Sequence, residues 1–135
     1  MNMSEWIQSI LENSERYHYL EGKTKKDLQE DIERTLSQIP LSEAERQSYS
    51  NRLKDYRYVD EIPEFVVGKH IRWIKKDSLK LTNGGILTDI KFLENGIYLL
   101  CKMYGNRFHQ YRLEDAYSFQ KISPEELVVL IANEI

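Results

Sequence analysis

Residues 68–122 read GKHIRWIKKDSLKLTNGGILTDIKFLENGIYLLCKMYGNRFHQYRLEDAYSFQKI, and this stretch decides the fold. Three glycine turns, Asn83-Gly84-Gly85, Glu94-Asn95-Gly96 and Tyr104-Gly105-Asn106, punctuate it. Between them lie segments rich in β-branched and aromatic residues, which favour strands. Five strands within about 55 residues, joined by tight turns, bury an apolar face most simply by closing into a small barrel.

Helical signals surround the strands. Ser4 is placed to cap a first helix carrying Trp6, Ile7, Ile10, Leu11 and Tyr17, with Gly22 as its end. Thr24 opens a second, in which Leu28, Ile32, Leu36 and Ile39 form one apolar stripe that Pro40 stops. Ser42-Glu43-Ala44-Glu45 is a capping box for a third, with Ala44, Tyr49, Leu53 and Tyr56 expected to face inward. Such narrow stripes call for packing on the barrel or on another subunit. Ser123-Pro124-Glu125-Glu126 caps a short closing helix suited to plugging one barrel end. The expected architecture is α+β: a helical arm and linker over 1–64, a five-stranded antiparallel barrel over 65–122, and a C-terminal capping helix over 123–135.

The order of elements resembles an SH3-like or Tudor-like small barrel. More narrowly, Gly68-Lys-His-Ile-Arg-Trp-Ile-Lys-Lys, Asn83-Gly-Gly-Ile-Leu, Ile97-Tyr-Leu-Leu and Phe108-His-Gln-Tyr-Arg-Leu resemble a small domain of large DNA viruses. The resemblance covers about 55 residues and rests on glycine turns and alternating apolar positions. It implies a barrel fold and a viral source, with no catalytic residues to carry over.

With 135 residues, 41% hydrophobic and 30% charged, the chain is long enough to bury a core without disulfides or metals. The start MNMSEWIQSILENSE carries acids where a secretory leader needs bases, and no apolar run reaches the length of a membrane helix. Cys101 stands alone in an apolar strand, which fits a buried thiol in a reducing compartment. The expected location is the cytoplasm, or the host cytoplasm or virion if the source is viral.

No nucleotide-binding, metalloprotease, serine-hydrolase or paired-cysteine motif is present, and the three histidines, His18, His70 and His109, are scattered. A non-enzymatic protein without cofactor or metal is therefore expected. The net charge of -3 conceals a partition: residues 1–64 hold 9 Lys/Arg against 14 Asp/Glu, and residues 65–122 hold 10 against 5. Two explanations stay open, a basic binding surface and mutual attraction between the halves.

Lys69, Arg72, Lys75, Lys76, Lys102, Arg107 and Arg112 are candidate phosphate contacts. Tyr98, Tyr104 and Tyr111 are candidates for an aromatic surface. The favoured function is a non-catalytic interaction module within a larger assembly, with a protein partner or self-association. Nucleic-acid binding through the basic strands is the alternative, and no membrane role is expected. One observation separates them: bases converging on one open face favour nucleic acid, whereas dispersed bases favour a structural role.

Overall fold

The computed structural model describes residues 1–135, the side chain of Ser14 excepted. Its four α-helices are α1 (Met3–Glu12), α2 (Lys25–Ser37), α3 (Glu43–Arg52) and α4 (Pro124–Ala132). Six strands, β1 (Tyr56–Val59), β2 (His70–Lys75), β3 (Gly85–Leu93), β4 (Gly96–Met103), β5 (Arg107–Arg112) and β6 (Ala116–Lys121), form one antiparallel sheet. Its order is β1-β6-β2-β3-β4-β5. Short 3₁₀ segments lie at Ser14–Leu20, Ile62–Glu64 and Leu113–Asp115.

The helix starts follow their caps. Thr24, Ser42 and Ser123 each accept from the backbone three residues on, and Asp27, Glu45 and Glu126 reach back to complete three capping boxes. The first helix differs from expectation: Asn2, not Ser4, caps it, and it ends at Glu12 before the 3₁₀ segment instead of running to Gly22. Asn13 accounts for this end, because its amide donates to Ser9 O at 2.9 Å and takes up a terminal carbonyl.

The sheet also departs from the expected five-stranded closed barrel. Tyr56 does not continue the third helix; it begins β1, whose alternation Tyr-Arg-Tyr-Val suits a pleated surface. This extra strand covers the free edge of β6, pairing Tyr56 with Lys121 through Val59 with Ser118. The sheet stays open, and β2 and β3 meet only at His70–Ile86 and Ile71–Gly85. The sheet curls so that β1-β6-β2 faces β3-β4-β5 across a bend, with Trp73 of β2 stacked on Tyr111 of β5 at 4.5 Å.

Three apolar clusters hold the parts together. Ile71, Trp73, Leu87, Leu99, Cys101 and Tyr111 fill the inside of the bend. On the other side of β2 and β6, Ile74 and Phe119 meet Ile32, Leu36, Tyr49 and Leu53 of the α2–α3 hairpin. The arm thus packs on its own sheet, though Ala44 is exposed. Leu20, Leu28, Ile122 and Leu130 form the third cluster. There α4 lies against α1, α2 and the first 3₁₀ segment.

A buried ion pair links this third region to the sheet. Arg57 Nε of β1 donates to Glu126 Oε2 of α4 at 2.7 Å, with side-chain exposures of 2% and 3%. Tyr19 Oη donates to the same oxygen at 2.8 Å, and its ring lies 4.7 Å from the guanidinium. Ser123 N donates to Glu126 Oε1 at 2.9 Å, so one carboxylate caps a helix and anchors a strand.

Candidate interaction surface

β3, β4 and β5 present a face that no helix covers, and strand register defines it. Residues directly opposite in an antiparallel pair share a face. Leu87–Cys101–His109 and Ile90–Leu99–Tyr111 are the inward ranks. Ile86–Lys102–Phe108, Asp89–Leu100–Gln110 and Lys91–Tyr98–Arg112 are the outward ranks. A register shift between Leu87 and Asp89 makes this division consistent, because it inserts Thr88 as an extra residue and restores alternation beyond it. Thr88 Oγ1 donates to Leu100 O at 3.0 Å across the bulge.

The outward ranks mix apolar groups with charges of both signs, Lys91, Lys102 and Arg112 against Asp89. Ile86 is 41% exposed and Phe108 59% exposed, with Lys102 paired between them. Leu100 and Tyr98 are half-buried along the middle strand. Tyr104 stands at the tip of the β4–β5 turn, 95% exposed, followed by Gly105 with φ 78° and by exposed Arg107. β5 is also an edge strand, so one side of its backbone has no partner strand.

No protein-family model matches the chain, and no curated protein or solved structure matches it significantly.

The seven candidate basic residues do not converge. Lys102 and Arg112 lie on the outward ranks, and Arg107 begins β5 beside the turn. Arg72 lies on the opposite side of the bend, paired with Phe119, and is tied to the protein. Its Nε donates to Thr82 O at 2.9 Å and its Nη1 to Arg52 O at 3.3 Å. Burial and neighbouring Arg52 lower its pKa from the ordinary arginine value. Lys75 pairs with Ala116 on the inner side, while Lys76 sits 5.2 Å over the Tyr117 ring and Lys69 precedes β2.

Arg112 is neutralised locally. Its guanidinium meets Glu114 at 2.9 Å and Asp115 at 3.2 Å, and donates to Asn95 O at 2.9 Å. The Asp115 hydrogen bonds raise its pKa further, so it remains charged but compensated.

Among the tyrosines, Tyr111 is a core residue and not a surface one. It is 3% exposed, stacks on Trp73 at 4.5 Å, and shares a 2.8 Å hydrogen bond with Ser118 Oγ. Inward parity opposite Leu99 places it there. Exposed His109 stacks parallel on the same Trp73 ring at 5.4 Å, covering the open side of the bend. Tyr98 and Tyr104 remain available to a partner.

Lys91, Ile86, Leu100 and Phe108 belong to this surface but were not among the sequence candidates. The alternation of Tyr98, Leu100, Lys102 and Tyr104 already marked the face on β4. Extending it to β3 required the bulge at Thr88, which carries no sequence signature here.

Other features offer less. A cleft of about 370 Å³ between the end of β1 and the β3–β4 turn is walled by Tyr58, Asp60, Lys76, Ile97, Leu113 and Glu114. Its charges are of both signs, and no histidine, cysteine or serine lines it. Among the described residues, no group of three or more His, Cys, Asp or Glu could hold a metal ion. No described helix is long and apolar enough to cross a membrane.

Proposed function

We propose that the protein is a non-catalytic interaction module that joins a larger assembly through the outward face of β3, β4 and β5. The observation carrying this reading is the set of three outward ranks, in which Ile86, Tyr98, Leu100 and Phe108 are interleaved with Lys91, Lys102 and Asp89. Aromatic and apolar side chains interspersed with polar and charged ones make up non-obligate protein–protein contact surfaces. The sheet order supports a related reading, that β2–β6 are an opened SH3-like barrel to which β1 has been added. In that arrangement the last strand, reached through a 3₁₀ turn, returns to pair with the first.

A nucleic-acid surface draws less support, because the bases are dispersed over several sides of the bend and Arg72 and Arg112 are engaged within the chain.

Affinity capture from an extract of the native source, with the full chain as bait, tests the module. Phe108→Asp should weaken retention of the specific partner by about 10-fold or more, the size expected when a contacting aromatic is replaced by a charge. Undiminished retention by Phe108→Asp removes the face from the argument. In parallel, anisotropy with a fluorescent single-stranded oligonucleotide should show no binding dependent on Lys102. Binding that falls steeply with salt and is lost in Lys102→Glu would replace the protein-partner reading with the nucleic-acid one.

A further inference from the structure

From Leu127 to Ala132, α4 reads LVVLIA, six residues without a polar side chain. A helix apolar on every side normally sits inside a core. Here the burial is incomplete: Leu130 is fully buried and Leu127 and Val129 pack beside it, whereas Ile131 is 59% exposed. α1 lies alongside and buries Ile10, but leaves Met3 at 68% and Leu11 at 42% exposure. Met3, Leu11 and Ile131 are therefore exposed apolar side chains on two helices that pack on each other.

The charges on these helices are acidic. Neither MSEWIQSILE nor PEELVVLIA contains a lysine or arginine, and Glu5, Glu12 and Glu125 line the two helices. The outward ranks of β3–β5 have the opposite balance, Lys91 and Lys102 against Asp89, with Arg112 already paired to Glu114 and Asp115. α1 and α4 pack on each other, on Ser14–Leu20 and on α2, whereas β3–β5 pack on one another, on β2 and on Leu113–Asp115. The complementary surfaces thus lie on different parts of one chain.

We infer that the occupant of the β3–β5 face is the α1–α4 surface of a second copy of this chain. The inference rests on the reading of that face as a contact surface, and adds its partner. The contact is heterologous: two different patches meet, so each molecule can both donate its helices and receive a neighbour's. Opposite charge balances favour this pairing over face-to-face or helix-to-helix contacts between like patches.

Sedimentation velocity on the full chain tests this with Phe108→Asp, Ile131→Asp and their equimolar mixture. Both positions are exposed, and circular dichroism checks that both variants fold. Wild type should associate with rising concentration up to about 1 mM, more weakly at high salt. Each variant alone should remain monomeric, its association constant down about 10-fold or more. The mixture should form a one-to-one dimer that grows no further, joining the intact face of Ile131→Asp to the intact helices of Phe108→Asp.

A wild type that stays monomeric throughout overturns the second-copy assignment, while the contact-face reading still stands or falls on capture by Phe108→Asp. Association lost in Ile131→Asp but kept in Phe108→Asp also overturns the assignment, since it means like helices meeting. A mixture that stays monomeric while wild type associates also overturns the assignment.

Discussion

Replacing Arg57 by alanine should remove a large share of the protein's stability. The guanidinium is 2% exposed and bonded to Glu126 at 2.7 Å, and its Nη2 donates to Glu64 O at 2.6 Å. Removing one partner of a buried pair typically costs about 3–5 kcal/mol, because the other charge stays buried. Glu126 would keep the bonds from Tyr19 Oη and Ser123 N, which places Arg57→Ala near the lower end, about 3 kcal/mol. Glu126→Ala also deletes the α4 capping box and leaves Arg57 with only a backbone carbonyl, which places it nearer 5 kcal/mol. A domain of this size has roughly 5–15 kcal/mol in total, so either change approaches the unfolding threshold. Urea titration followed by circular dichroism measures both. If Arg57→Ala lowers stability by less than about 1 kcal/mol, the pair is effectively solvated and the anchoring of α4 to β1 must come from elsewhere.

Three further outcomes follow from single sites. Burial pushes the Cys101 thiol pKa up to about 12, so a thiol reagent at pH 8 should label the native protein far more slowly than the urea-unfolded chain; equal rates would mean the strand opens readily. His70, bonded through Nδ1 to Tyr56 Oη at 2.9 Å, has its pKa held low, first by burial and then by Arg72 and Lys121. The unfolded chain therefore binds this proton more tightly, so the contribution is full above about pH 6.5 and declines as pH falls through that value. Tm should drop more between pH 7.5 and 5.5 in wild type than in His70→Gln, and identical slopes would refute it. Finally, Gly84 has φ 79° and an added Cβ would overlap Ile71 O, whereas Gly105 has φ 78° but open space around it. Gly84→Ala should cost more than about 2 kcal/mol and Gly105→Ala only about 1 kcal/mol by urea unfolding; similar costs would show that the β2–β3 junction can relax.

Local chemistry was legible where one residue dictates backbone geometry. Thr24, Ser42, Ser123, Pro40 and the glycine turns act within a few residues, and α2, α3, α4 and five of the strands follow them, whereas both ends of α1 do not match the signals read for it. Long-range choices were not legible. Tyr56–Val59 has strand-like alternation, but whether it extends a helix or pairs with β6 depends on Ser118–Lys121, about sixty residues away. Arg57 and Glu126 each look like ordinary charged surface residues until the fold joins them. The site behaved likewise: alternation on β4 separated Tyr98 and Lys102 from Leu99 and Cys101, whereas Tyr111 looked like a surface ring because its stacking partner Trp73 lies on another strand.

The opposite charge excesses of the two halves leave mutual attraction between the acidic arm and the basic strands as one expectation. Among the described residues, no ion pair joins an acid of 1–64 to a base of 65–122; the acids of that segment pair with their own neighbours, as Asp31 does with Lys23 and Arg34. The halves meet instead through apolar side chains such as Leu36, Leu53, Ile74 and Phe119. β1 occupies the β6 edge and the α2–α3 hairpin occupies the adjoining face, so both sheet surfaces near the arm are used up. What stays uncovered is the most distant part of the sheet, β3–β5, and the outer side of α1 and α4. Charge left unpaired within the chain can act on another molecule at ranges of about 8 Å at physiological salt. Since the uncovered sheet is basic and the uncovered helices acidic, the same asymmetry that fails to hold one molecule together is available to bring two together.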